Sequence, residues 1–294
     1  MSPDRFHPPR FFGAAVLTAL AGWLFPALGL GQEVQYPLAI AAREQTLFIV
    51  DRNLPGIWKV EDGKRALFFQ GSKQLRTPLN APRSIAVDRE GRLLVGDSAT
   101  REVYRLDADG KAEPLTGGGI GIPMGIAVTD TGDLLVSDLE LHCIWKVPAG
   151  GGKPQKFADV PAPRGVALDE EGRLWVVSRG DNELVRVTAA AKVETVIKGR
   201  AFQFAHDIAI DSQGNVYISD NYAKTIWKLD RAGKPASWAS GKPLVGPVGL
   251  AWQDDKLFVA DPQAKAVFQI DGQGQITAVP AEPAASASAA SPDG

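Results

Sequence analysis

His206 and Asp207 stand side by side in the run KGRAFQFAHDIAI, residues 198 to 210. An imidazole titrates near neutrality and a neighbouring carboxylate can tune it, so the pair has the makings of a general base. Arg83 and Arg164 each follow a proline, in PRSIAV and PRGVAL. A guanidinium offers a planar fork to a carboxylate or phosphate, so these two arginines point to an anionic partner. Arg200, Phe202 and Phe204 lie just ahead of His206. Apolar walls with a few convergent polar groups are what a ligand site requires. Five aspartates, Asp51, Asp97, Asp138, Asp220 and Asp261, close similar apolar runs, and Ser178 closes a sixth. A carboxylate found at nearly every such run serves something that each run needs. These aspartates therefore read as acceptors that fix turns by bonding backbone N–H groups, not as a metal cluster. Glycines 117 to 119 and 121 complete neither a dinucleotide fingerprint nor a P-loop, and no G-x-S-x-G or H-E-x-x-H is present.

The elements that must position these residues come from a repeat. The stretch PMGIAVTDTGDLLVSDLELHCIWKV, residues 123 to 147, reads as three short strands separated by a turn and a polar loop. Variants of it start at residues 37, 82, 163, 205 and 247, which gives successive spacings of 45, 41, 40, 42 and 42 residues across six copies. A turn and a fourth short strand follow each copy, as in RALFFQ and ETVIK. Four strands per unit of about 40 residues predict a β-propeller blade, and six units predict a six-bladed, all-β ring of four-stranded antiparallel sheets. The first strand of each unit is continuously apolar (IAV, VAL, IAI), as a strand packed on both faces must be. One blade cannot bury its sheet alone, so closing the ring lets every blade cover its neighbour.

This topology sorts the candidates. The start of each first strand and the loop after each second strand share one face at the channel mouth, where variable loops converge on a rigid frame. The position after the opening residue is Leu38, Arg83, Met124, Arg164, His206 and Val248; the next is Ala39, Ser84, Gly125, Gly165, Asp207 and Gly249. The expected ligand set is therefore Arg83, Arg164, His206, Asp207, Met124 and Phe204. Arg101, Glu140, His142, Arg179, Asn182, Tyr222 and Lys224 join it as the residues that vary between blades in the second-to-third-strand loops. Third strands carry Lys59, Arg105, Lys146, Arg186 and Lys228 beside Trp58, Trp145 and Trp227, which reads as blade packing with snorkelling stems.

The pattern P-x-G-I-A-V-D-x-x-G-x-L-x-V-x-D with an apolar third strand resembles the NHL-repeat family of six-bladed propellers. It is also similar to the wider group that includes gluconolactonases and streptogramin-inactivating lyases. The resemblance spans roughly residues 36 to 280. For the lyases it implies a histidine base near a metal-bound substrate, a role that falls to His206 with Asp207. For the gluconolactonases it implies a divalent metal held by Glu, Asn and Asp. At the matching strand starts only Asp207 is acidic, while Ala39, Gly125, Gly165 and Gly249 supply no ligand. The three-histidine zinc site of the amidoglycolate-lyase propellers is not expected, since only His142 and His206 lie beyond residue 31. No cofactor is expected; a divalent metal would lack ligand residues.

Composition adds bounds. The 294 residues are 45% hydrophobic and 22% charged with net charge −2, so no nucleic-acid partner is expected. Gly 31 and Pro 21 fit a turn-rich β protein, and the single Cys143 reads as a small apolar strand residue. Residues 1 to 31 have a basic start at Arg5 and Arg10, an apolar run from Phe11 to Leu30, and small residues Gly29 and Gly31 before Gln32. That pattern predicts a secretory signal peptide, with an uncleaved membrane anchor as the competitor. The propeller would occupy residues 32 to 280, and an Ala, Ser and Pro-rich tail, 281 to 294, is expected to be disordered. The expected function is an exported propeller that binds a small anionic ligand or a protein at its channel mouth. The alternative is a lyase or hydrolase that uses His206 as general base.

Overall fold

Every copy of the repeat folds as one four-stranded antiparallel sheet built from contiguous sequence, in a computed structural model that describes residues 33–230, 233–279 and 282–283. The expected leader, 1 to 31, and residues 284 to 294 of the tail lie outside the described residues. Six blades result, and the described residues contain no helix. The first strands are Pro37–Arg43, Pro82–Val87, Pro123–Val128, Pro163–Leu168, Ala205–Ile210 and Leu250–Gln253. Each one touches the first strand of the next blade, and the last touches the first, so together they wall a central channel.

The core is divided into six slabs, one between each pair of neighbouring blades. Phe48, Val50 and Ile57 of blade one meet Ile85, Val95 and Leu106 of blade two. At the closing seam Ile49 and Trp58 of blade one meet Ala260 and Val267 of blade six, and Val34 packs there too. This alternation explains why isolated blades would not fold: each sheet buries its apolar faces only against its neighbours. Cys143 is fully buried in a third strand, and burial pushes its thiol up to about 11. It is a packing residue with little thiolate at neutral pH.

Among the described residues no first or fourth strand of a blade comes from the opposite end of the chain. Instead Glu282–Pro283, which the sequence assigns to the tail, pairs in parallel with Lys64–Gln70, the outer strand of blade one. The C-terminal segment thus crosses from blade six onto blade one.

The strand-end aspartates do what the repeat predicts. Asp97 accepts the backbone N–H groups of Asn80 and Ala81 at 2.8 and 2.9 Å, and Asp220 those of Gln203 and Phe204, both at 2.8 Å. Each therefore ties its own blade to the lead-in loop arriving from the blade before. In blades one, three and five the indole N–H of Trp58, Trp145 or Trp227 donates to the same carboxylate. Two buried glutamates extend this scheme, and nothing in the repeat announces them. Glu102 accepts from Leu115, Thr116 and Gly118, and Glu183 from Ala201 and Phe202.

The glycines of the channel wall are there for closeness. A Cβ on Gly165 would lie 2.6 Å from Asp207 Cα, and one on Gly249 would lie 2.7 Å from the Leu38 carbonyl oxygen. Both obstacles belong to the next blade's backbone, which cannot swing away. Gly165→Ala is expected to cost about 2–3 kcal/mol by urea unfolding, in the range of overpacked cores. Gly150→Ala serves as the control, because nothing lies within 4 Å of a Cβ there. Equal losses in the two variants would refute the packing account.

Candidate anion site at the channel mouth

Two blades meet around Phe204. It ends the lead-in loop to blade five, where Asp220 holds its backbone N–H. The guanidinium carbon of Arg164, from the first strand of blade four, lies 4.8 Å from the Phe204 ring centroid; that of Arg179, just after the second strand of the same blade, lies at 4.5 Å. Tyr222 packs on the ring at 4.7 Å and His206 lies at 6.4 Å. Strand pairing is irregular between Pro82 and Ser84, Pro163 and Val166, and Ala205 and Ile208. Arg83, Arg164 and His206 therefore sit at breaks in the ladder, as the first strands enter the sheet.

The site is electropositive. Arg179 bonds the Gln203 carbonyl at 3.2 Å and lies 3.5 Å from Glu183. Arg83 donates from Nε to Ser98 Oγ at 2.9 Å. Among the described residues neither Arg83 nor Arg164 has a carboxylate partner, and the buried Nε of Arg164 has no hydrogen-bond acceptor. Burial first, then Arg179 and Arg83, lower the Arg164 pKa; burial first, then Arg52, lower that of Arg83. Burial, followed by the charges of Arg164 and Arg83, drives His206 down to about 3, so its imidazole is neutral at pH 7. Arg83, Arg164 and His206, from the second, fourth and fifth blades, are thus within electrostatic reach of one another.

Asp207 is placed differently. Its carboxylate turns into the junction between blades, where Oδ2 accepts the Leu250 N–H and Oδ1 the Ile208 N–H, both at 2.9 Å. Burial pushes its carboxyl up to about 6 against those two bonds. No hydrogen bond joins it to His206 among the described residues, so the imidazole is tuned by arginines and not by its sequence neighbour. Met124 is buried at the equivalent position of blade three. Arg101, His142 and Lys224 all occupy one left-handed turn position, with φ of 59°, 54° and 53°. Their carbonyls accept the N–H groups of Ile120, Val160 and Gly241. Arg101 also pairs with Glu140 at 2.8 Å, and His142 Nδ1 accepts the Ala162 N–H at 2.9 Å. These three therefore stand in the loop frame, whereas Tyr222 joins the Phe204 cluster. Arg179, expected from the sequence, reaches the Phe204 ring, and Arg52 is the residue a closer reading of spacing would have added, because it too directly follows a second strand.

The donors at the mouth do not suit the divalent metal that the propeller enzymes imply. No group of three or more His, Cys, Asp or Glu side chains comes together among the described residues. Both Asp207 oxygens are bonded to backbone N–H groups, and the surrounding arginines would repel a cation.

The profile of the virginiamycin B lyase family matches residues 71–291. The chain belongs to the virginiamycin B lyase family. No curated protein matches it. Among solved structures it is similar to a streptogramin B lyase, with 16% identity, TM-score 0.66, and 85% of this chain and 84% of that one covered. A virginiamycin B lyase from Staphylococcus aureus matches with 15% identity, TM-score 0.65 and coverages of 86% and 85%. A gluconolactonase from Xanthomonas campestris matches with 18% identity, TM-score 0.68 and coverages of 84% and 87%. At such identities the structural likeness speaks for the shared propeller alone. This member of the virginiamycin B lyase family carries Arg83, Arg164 and His206 in its first strands.

Proposed function

We propose that this member of the virginiamycin B lyase family binds a small anion at the mouth of its channel, between Arg83 and Arg164. The observation that carries the reading is the Arg164 guanidinium, which has no hydrogen-bond or ion-pair partner among the described residues, beside Arg83, which has no ion pair there either. Such a group is costly unless something pairs with it. Phe204 holds the guanidinium in place, so little side-chain freedom is lost on binding. The basic start and apolar run of residues 1 to 31 support a site of action outside the cytoplasm.

Isothermal titration with inorganic phosphate and with acetate tests this. Saturable binding is expected, weakened about tenfold to a hundredfold in Arg164→Ala, the range of a charge-assisted pair. Arg164→Lys restores only part of it, because an ammonium lacks the planar fork. Unchanged affinity in Arg164→Ala, or no anion bound at all, would sink the reading.

Family membership favours a second reading, a lyase in which His206 is the general base. A catalytically inactive virginiamycin B lyase from Staphylococcus aureus has been solved with quinupristin. Neutral His206 has a free lone pair at pH 7 but a weak one, and an anion between the arginines would strengthen it by offsetting their charge. Incubation with quinupristin, followed by mass spectrometry, decides: conversion that His206→Ala abolishes would establish the enzyme.

A further inference from the structure

Tyr222 is 63% exposed, yet its ring lies against Phe204 at 4.7 Å with 36° between the planes. Phe204 itself is engaged, with the guanidinium groups of Arg164 and Arg179 both within 5 Å of its centroid. Phe204 thus has two tasks. It fixes the planes of the arginines, and it props an exposed aromatic ring beside them. A large aromatic side chain left in water, on a rigid support and next to unpaired positive charge, is half of a recognition surface.

We infer that the anion is the acid group of an aromatic carboxylic acid, whose carboxylate meets Arg164 and whose ring covers Tyr222. This rests on the anion-site reading above and adds the class of molecule that carries the charge. Arg164 is half-buried, no hydrogen bond or ion pair engages its guanidinium among the described residues, and its two terminal nitrogens present two parallel N–H bonds in one plane. A carboxylate accepts both of them in a bidentate pair. Arg164 and Tyr222 both pack on the single ring of Phe204, so acid and ring recognition lie one aromatic ring apart. One small molecule with its acid close to its ring can reach both.

The test is isothermal titration of the purified protein, Tyr222→Ala and Tyr222→Phe with four probes: acetate, phenylacetate, phenylacetamide and inorganic phosphate. Because Tyr222 is exposed, the variants are expected to melt with the parent, which thermal unfolding checks. Phenylacetate is expected to bind the parent about tenfold or more tighter than acetate, from one ring's contact and burial. That advantage should vanish in Tyr222→Ala and persist in Tyr222→Phe, and uncharged phenylacetamide should not bind. Equal affinity for phenylacetate and acetate, or a preference that survives Tyr222→Ala, overturns the aromatic-acid inference while the anion site stands. Binding of neither carboxylates nor phosphate overturns both.

Discussion

Asp138→Ala is expected to lower the unfolding free energy by about 3–5 kcal/mol, read from urea denaturation, with the anion site disturbed only indirectly. The carboxylate is fully buried and accepts five hydrogen bonds. Gly121 and Ile122 donate from the lead-in loop at 2.7 and 3.0 Å, and Glu140 and Leu141 from the following turn at 3.0 and 3.1 Å. Trp145 donates its indole N–H from the third strand at 2.9 Å. Alanine leaves all five donors without their acceptor in a place water reaches poorly. Burial alone would raise the Asp138 pKa, but the bonds from Ile122, Trp145, Gly121 and Leu141 outweigh it and hold the carboxyl below its ordinary 3.8. A lowered folded pKa contributes stability that is present above the ordinary carboxylate range and is lost as pH falls through the folded value. Acid sensitivity should therefore diminish in Asp138→Ala along with stability. A loss under about 1 kcal/mol would mean that the turn is held by the strands and not by the carboxylate.

The second large effect concerns His206 and Asp207, whose titrations oppose each other. His206 falls from its ordinary 6.5 to about 3, so it contributes stability that is present above 6.5 and is lost as pH drops toward 3. Asp207 rises from 3.8 to about 6, so its contribution is present below 3.8 and is lost as pH climbs through 6. Between 3.8 and about 6 the slopes cancel, and the parent should show a flat profile from this pair. Asp207→Asn uncovers the histidine, and stability should then fall by about 1.4 kcal/mol per pH unit over that window. His206→Gln uncovers the aspartate, and stability should rise toward acid by a similar slope. Urea midpoints of the three proteins from pH 4 to 7 give the comparison; three parallel curves would refute the opposed pair.

Much of the frame was legible in the sequence because each blade repeats the same demands. A strand buried on both faces must be apolar throughout, and a loop fixed the same way in each blade keeps its aspartate. The convergence of Arg83, Arg164 and His206 was legible too, since it needs only the topology. What stayed hidden depends on distances. Nothing in AHDIAI tells that Asp207 turns into the blade junction, because that follows from Gly165 of the neighbouring blade leaving room for it. Arg101, His142 and Lys224 vary in chemistry but share a backbone conformation, so their variation marks a tolerant turn position. Glu102 and Glu183 were invisible because only two blades use them. The pairing of Glu282–Pro283 with blade one could not be read from an Ala-rich tail, since backbone hydrogen bonds need no side-chain pattern.

That pairing bears on how the molecule comes into being. Each blade is contiguous in the chain, so a nascent polypeptide can complete one sheet after another, each docking on the blade just made. Only the junction between blades six and one joins residues from opposite ends of synthesis, and it must wait for the last of them. Crossed among the described residues only by the short Glu282–Pro283 strand, this junction is the final step of assembly and the natural hinge of disassembly. A chain that stops short of residue 282 would still build its sheets but would close the circle without its outer latch.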